Sequence, residues 1–351
     1  MDRSPVPRFK RVAFRSKTGW WKADEIKSFL QDEDLPLKIV VGDFTAPPRL
    51  KASGGVEISR AIATQLQSVG IVVADDAGQQ LMGKFKLAEK KQHPQDSFES
   101  LAFEIEATLL DGNDDELAEL PISVFGSVAL QLAGQTIDVS LKLQEKERQE
   151  TLVRQVKEPP TKIEEGQTKP SASSPFGMEI LVNNSNQVNL RSPRLDSQSR
   201  AFVDLHRGEE YVVRLYNDAS FEAAVCLTVD GVDVFVDAQD APKNSRFIIY
   251  PGTHIDVPGW YFNKSNSKAF EIGGYEESVA NRVRNSTGIG TINATFQACW
   301  DPNGPRPTDE PGGNAKGGKA TKQGRDIKKN YVELTRDFGD VRAVVSVRYD
   351  R

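Results

Sequence analysis

Residues 211–235 read YVVRLYNDASFEAAVCLTVDGVDVF. Val212, Val213 and Leu215, then Val225, Leu227 and Val229, are spaced as two strands that each bury one face. A short polar connection that includes Asn217-Asp218 joins them. Asp230-Gly231 follows the second strand as a two-residue hairpin turn, because both positions of such a turn must tolerate positive φ. The stretch fixes a β-rich C-terminal domain and carries no catalytic chemistry.

The same pattern continues outward. Met178–Val182, Phe202–Leu205, Val232–Val236, Phe247–Tyr250, His254–Val257, Lys268–Ile272, Thr291–Cys299 and Arg342–Tyr349 read as further strands. Arg207-Gly208, Pro251-Gly252 and Pro258-Gly259 mark turns between them. Many short strands with regular turns predict an all-β sandwich over residues 176–351. A short helix is expected around Tyr275–Asn281, and the Gly-, Pro- and Lys-rich residues 301–329 read as a flexible basic loop.

The N-terminal half is patterned differently. Leu37–Phe44, LKIVVGDF, is a buried strand. Val56, Ile58, Ile62, Leu66 and Val69 predict a helix that Gly70 stops. Ile71–Ala74, Gln80–Glu89, Ser100–Leu110 and Leu120–Phe125 then read as strands, with a turn at 111–114. Residues 36–145 are thus expected as an α/β layer domain, a helix on a mixed or antiparallel sheet, and the whole chain as α+β. Residues 1–35 read as an extension holding one amphipathic helix, Lys22–Leu30, preceded by Trp20 and Trp21. Gln144–Glu158 is strongly charged and reads as partly helical, ended by Pro159 and Pro160, and residues 146–175 as a whole, charged and then rich in Pro and Ser, read as a linker.

Composition narrows the function. The 351 residues suffice for two cores, and a net charge of −5 argues against general nucleic-acid binding. No apolar run is long enough to span a bilayer as a helix, and the start lacks a secretory h-region. A cytoplasmic location follows as an expectation, or an envelope-associated one had a leader been removed. Cys226 and Cys299 sit in strand-like runs and read as small buried side chains, with a disulfide between them left open.

The motif stretches LKIVVGDF, ISRAIATQLQSVG, GKFKLAEKK and SFESLAFEIEATLLD resemble the curli-secretion-lipoprotein and TolB-N-terminal-like α/β fold over residues 37–145. That resemblance implies a non-catalytic domain that assembles complexes or binds protein partners. The stretches ALQLAGQTIDV, SPFGMEILV, YPGTHIDVPGWYF, AFEIGGYEESVA, GTINATFQACW and VSVRYD, together with residues 211–235, resemble an uncharacterised bacterial, planctomycete-like β-domain family over residues 129–349. It implies a β fold and no particular activity.

Several residue groups invite chemistry, each beside a plainer reading. Gly54 and Gly55 precede a helix, whose free N–H groups could hold an anion, though no P-loop or dinucleotide motif accompanies them. Asp230, Asp233, Asp237 and Asp240 crowd one hairpin and could bind Ca²⁺ through oxygen ligands, or could simply serve turns and a solvated face. Trp260, Tyr261, Tyr250 and Tyr275 surround PGWYF and could line a carbohydrate or peptide cleft, with core packing as the alternative. Asp204, His206, His254, Ser220 and Ser245 supply the residue types of a hydrolase without a nucleophile-elbow motif. Lys316, Lys319, Lys322, Arg325, Lys328 and Lys329 make the loop locally basic, suited to phosphates or an acidic protein surface.

Taken together, the chain reads as a non-enzymatic adaptor or assembly protein that binds protein partners, with a homo-oligomer allowed by its edge strands. The alternatives are a carbohydrate- or calcium-dependent binding module and, third, a hydrolase. No cofactor is expected beyond that Ca²⁺.

Overall fold

A computed structural model describes residues 23–45, 58–59, 62–63, 66–67, 69–87, 102–125, 134–184, 187–241, 245–282, 290–310, 316–323 and 331–349. The protein is β-rich and falls into two compact units, the first formed almost wholly by residues up to 133 with the short stretch 282–288, the second by residues 134–281 and 289–351. The division thus comes earlier than the expected linker.

In the first unit, α1 (Ala23–Asp32) precedes β1 (Lys38–Thr45), β2 (Val72–Val73), β3 (Gln79–Leu87), β4 (Ala102–Leu110) and β5 (Glu116–Phe125). The strand order is β2-β1-β3-β4-β5. β1 runs parallel to β2 and β3, whereas β3, β4 and β5 are antiparallel. Ile58, Ile62 and Leu66 are helical and buried, spaced i, i+4 so that they share one helix face. Ile39, Leu81, Phe85, Phe103, Ile105 and Leu109 supply the buried sheet side chains. α1 is not an appendage: Ile26 and Leu30 are fully buried, and Lys27 Nζ donates to the Val69 carbonyl at 2.8 Å. Trp20 and Trp21 lie outside the described residues.

The second unit contains β6 (Ile137–Asp138), α2 (Glu145–Lys157), β7 (Lys162–Glu164), β8 (Gln167–Lys169), β9 (Phe176–Asn184), β10 (Gln187–Leu190), β11 (Arg194–Leu195), β12 (Ala201–Val203), β13 (Glu210–Asn217) and β14 (Glu222–Val229). It continues with β15 (Val232–Asp233), β16 (Phe247–Ile249), β17 (Thr253–Val257), β18 (Gly259–Asn263), β19 (Asn266–Glu271), α3 (Val279–Arg282), β20 (Thr291–Trp300), β21 (Lys316–Gln323) and β22 (Tyr331–Tyr349). One sheet has eight strands, ordered β18-β19-β13-β9-β8-β7 with β10 and β17 attached to β9 and β13. The other has nine, ordered β11-β12-β22-β20-β14-β16-β21 with β6 and β15 attached. Met178, Ile180, Val213 and Leu215 of the first sheet share a buried cluster with Val225, Leu227, Phe296, Val345 and Val347 of the second. The period-2 alternation of each strand puts these residues on its inner face.

The two strands of residues 211–235 do not pair with each other. β13 belongs to the eight-stranded sheet and β14 to the nine-stranded one, so the connection at 218–221 crosses between sheets. Asn217 holds that crossing. Its side chain is fully buried, Nδ2 donates to the carbonyls of Phe221 (2.8 Å) and Ile249 (2.9 Å), and Oδ1 accepts the Ala219 N–H at 3.1 Å.

Two expectations are corrected. Residues 146–175 are not an open linker: Leu152 and Val156, four apart on α2, are buried, and β7–β8 is a hairpin joined to β9 through Thr168 and Met178. Nor are residues 301–329 a loop throughout. Lys316–Gln323 forms β21, antiparallel to β22 and parallel to β16 at Phe247, which closes part of the nine-stranded sheet on itself. Residues 301–310 are tied down by charge. Arg342 reaches Asp309 at 2.6 and 3.1 Å and Glu310 at 2.6 Å, over the Phe221 ring. Arg336 forks onto Glu222 at 2.6 and 3.3 Å and lies 3.6 Å from Asp301. Composition alone cannot foresee this, because the loop's carboxylates and their arginines are far apart in sequence.

Two outcomes follow. Asn217→Ala removes the side-chain donor from the buried Ile249 carbonyl and the part-buried Phe221 carbonyl and is expected to destabilise the protein by about 2 kcal/mol, read from urea unfolding. The hydrogen bond and charge of Arg342 hold the Asp309 carboxyl below its ordinary value. A depressed folded pKa stabilises above the unfolded value of about 4 and loses that contribution as pH falls through the folded one. The Tm of Asp309→Asn is therefore expected to be lower at neutral pH and to decline less than the parent's on acidification below about pH 4.

Candidate functional site

The crowded aspartates separate into distinct local roles. Asp230 and Gly231 adopt φ of +53° and +71°, as their hairpin turn requires. Asp230 Oδ1 accepts the Gly290 N–H at 2.6 Å and the Tyr349 hydroxyl. Burial, and then the neighbouring Tyr211 and Asp230, push the Tyr349 phenol far above its ordinary value. Asp233 Oδ1 accepts the Phe235 N–H at 2.8 Å. Asp240 accepts the Tyr261 hydroxyl at 2.8 Å and the Lys264 N–H at 2.9 Å. Burial opposes the Asp240 charge, yet those hydrogen bonds bring its carboxyl below the ordinary value. Asp237 lies half-buried between them in sequence. Among the described residues, no three His, Cys, Asp or Glu side chains gather where they could hold a metal ion. Gly54 and Gly55 lie outside the described residues.

Within the aromatic group, Tyr261 follows the core-packing alternative. Tyr261 is buried against Phe235, with ring centroids 4.9 Å apart, because alternation along β18 turns it inward. Trp260 is half-buried and meets Phe270 edge-on at 5.4 Å. Tyr250 is half-buried after β16, and Tyr275 opens a single 3₁₀ turn, Tyr275–Glu277.

The hydrolase residues sit in unrelated surroundings. Asp204 pairs with Arg194 at 2.5 Å, the His206 N–H donates to Glu209 at 2.8 Å, and the exposed His254 tilts against Tyr216 at 5.2 Å. Ser220 is exposed and Ser245 buried. Cys226 and Cys299 are not joined by a disulfide; they lie opposite Thr295 and Glu222 on the neighbouring strands, and the Cys226 thiol donates to Asp233 at 3.7 Å. Burial pushes the Cys299 thiol well up, so it is inert as a nucleophile.

Two features escape a reading by motif. The first is a charged row across three strands on the outer face of the eight-stranded sheet. Glu179 on β9, Arg214 on β13 and Asp256 on β17 lie in register. Arg214 forks onto Asp256 at 2.7 and 2.9 Å, and the Tyr216 hydroxyl donates to Glu179 at 2.8 Å. Its hydrogen bond to Asp256 raises the Arg214 pKa further, so the guanidinium stays charged.

The second feature is β10. It pairs with β9 in an antiparallel hairpin, Val188 opposite Asn183 and Leu190 opposite Leu181. The Arg191 N–H donates to the Ile180 carbonyl at 2.8 Å. Antiparallel pairs alternate between bonded and non-bonded. Asn189 and Arg191 therefore turn their backbone groups toward β9, while Val188 and Leu190 turn theirs to the open side. Both side chains are exposed as well, Val188 by 56% and Leu190 by 41%. Leu190 rests on the turn between β7 and β8: a Cβ at Gly166, where φ is +89°, would lie 2.3 Å from Leu190 Cδ2. In sequence the only signs of this strand are the polar run Asn183-Asn184-Ser185-Asn186 and Val188 and Leu190 two apart.

Gly166→Ala tests the brace. The left-handed backbone and the clash with Leu190 are expected to cost about 1–2 kcal/mol in thermal unfolding, with the Leu190 methyl resonances shifted. The chain matches no family model, no curated protein and no solved structure.

Proposed function

We propose that this protein is a non-enzymatic adaptor or assembly protein that binds other proteins along the edges of its sheets. One observation carries the reading. Among the described residues, the exposed large aliphatic side chains are Val72, Val188, Leu190 and Leu195, and every one lies on an edge strand: β2, β10 or β11. Apolar side chains exposed on a sheet edge favour contact with a partner, and an open edge can take up an added strand. The engagement of Asp204 with Arg194 and of His254 against Tyr216, in separate surface contacts, supports a reading without catalysis.

In this reading the first unit is an α/β layer of the curli-secretion-lipoprotein and TolB-N-terminal-like kind. Its parallel β1–β3 pair and antiparallel β3-β4-β5 run support that. The second unit is a β-sandwich, supported by the one buried cluster that draws on both of its sheets.

The test is capture of partners by the tagged full chain from its own host, with mass spectrometry and light scattering of the eluted complex. A stoichiometric protein is expected with the parent. Its capture should fall at least about tenfold when Val72, Val188, Leu190 and Leu195 are all replaced by Lys. A chain that elutes alone as a monomer in repeated captures would overturn the reading.

A further inference from the structure

We infer that β10 is the docking edge for one extended segment of a partner protein, about five residues long, which adds to the eight-stranded sheet as a new outer strand. The proposal rests on the protein-binding reading and names where and how the partner attaches.

The open side of β10 fixes the chemistry of its occupant. The N–H and C=O groups of Val188 and Leu190 both point away from β9, as the Arg191–Ile180 hydrogen bond dictates. Such a row of alternating donors and acceptors is complementary to another extended backbone. Val188 and Leu190 stand two residues apart, hence on one face, and ask for small or aliphatic partner side chains at alternate positions.

Other edges among the described residues carry features by which proteins discourage strand addition. β5 contains Glu116, Glu119 and Pro121. β7 has Lys162 and Glu164, and β17 has Asp256. β11 is two residues long, includes Arg194 and follows Pro193, while β2 is two residues long. β18 is covered, since the Tyr261 N–H donates to Val234 at 2.9 Å and the Gln239 N–H to the Phe262 carbonyl at 2.9 Å. Only β10 among these edges combines four residues, no charge and no proline with apolar side chains left in solvent.

Size decides between a peptide and a second copy of the chain. A stable dimer buries at least about 1,200 Å². Pairing of two four-residue β10 edges falls well short of that. An extended segment needs only the edge itself, with the exposed Val188 and Leu190 side chains beside it.

Val188→Pro is the discriminating variant. It removes one outward N–H and no hydrogen bond to β9, and proline is tolerated on an edge. Leu190→Lys serves as the second variant should Val188→Pro fail to fold by circular dichroism. A phage-displayed library of seven-residue peptides is panned on the full chain, and enriched peptides are synthesised and titrated. Enriched peptides are expected to alternate aliphatic residues, to protect the Val188 and Leu190 amides from hydrogen exchange, and to bind either variant at least about tenfold more weakly. Unchanged affinity for both folded variants, unprotected amides, or no enrichment would overturn the proposal. So would a dimer in light scattering that Val188→Pro dissolves, because the occupant would then be a second copy. A native partner still captured by both variants leaves the adaptor reading standing and removes β10 from it, whereas no partner for parent or variants removes the adaptor reading itself.

Discussion

The second unit depends on the side chain of Asn217. A chain that leaves one sheet and enters another within four residues must turn its backbone polar groups away from both ladders, inside a core where water cannot satisfy them. Asn217 supplies two donors and an acceptor at that point, reaching Phe221, Ile249 and Ala219. Asparagine suits the role because its amide is neutral and carries both kinds of group. An aspartate would bring a buried charge, and a leucine would leave the carbonyls orphaned. With the corner fixed, β13 and β14 present Val213, Leu215, Val225 and Leu227 to one shared core.

Charge then holds what packing alone does not. Residues 301–310 have few apolar side chains to bury, yet Arg336 and Arg342 draw Asp301, Asp309 and Glu310 against the nine-stranded sheet. The Arg342–Glu310 pair is shut off from solvent, with side-chain exposures of 6% and 3%. Glu310 also accepts the Asp340 N–H at 2.6 Å. A buried pair of this kind contributes less through attraction than through the cost of leaving either partner alone, so it fixes the position of the loop more than it adds stability.

Much of the strand pattern was legible. Alternation located β9, β13, β14, β20 and the end of β22, and Asp230-Gly231 forms the turn its residue types demand. What stayed hidden depends on long-range pairing. Lys316–Gln323 looked like a loop because Gly and Lys carry little strand propensity, but β16 and β22 provide hydrogen-bonding edges on both sides. The crowding of the aspartates in sequence leaves both a ligand set and plain turn chemistry open, and the fold sends Asp230 to Gly290 and Tyr349, and Asp240 to Lys264 and Tyr261. Val188 and Leu190 passed unnoticed because a four-residue strand gives too short a period to read.

That last omission bears on function. Side chains that do chemistry betray themselves by type, so a search for His, Cys, Asp and Glu finds candidates whether or not they meet in space. A surface that recognises backbone has no such signature, since its specificity lies in which N–H and C=O groups remain unpaired. Two ordinary aliphatic residues, one turn and one hydrogen bond from Arg191 to Ile180 are enough to define it. The contrast between β10 and the neighbouring edges is a property of the folded sheet, and it becomes visible only beside described edges that are charged, very short or covered.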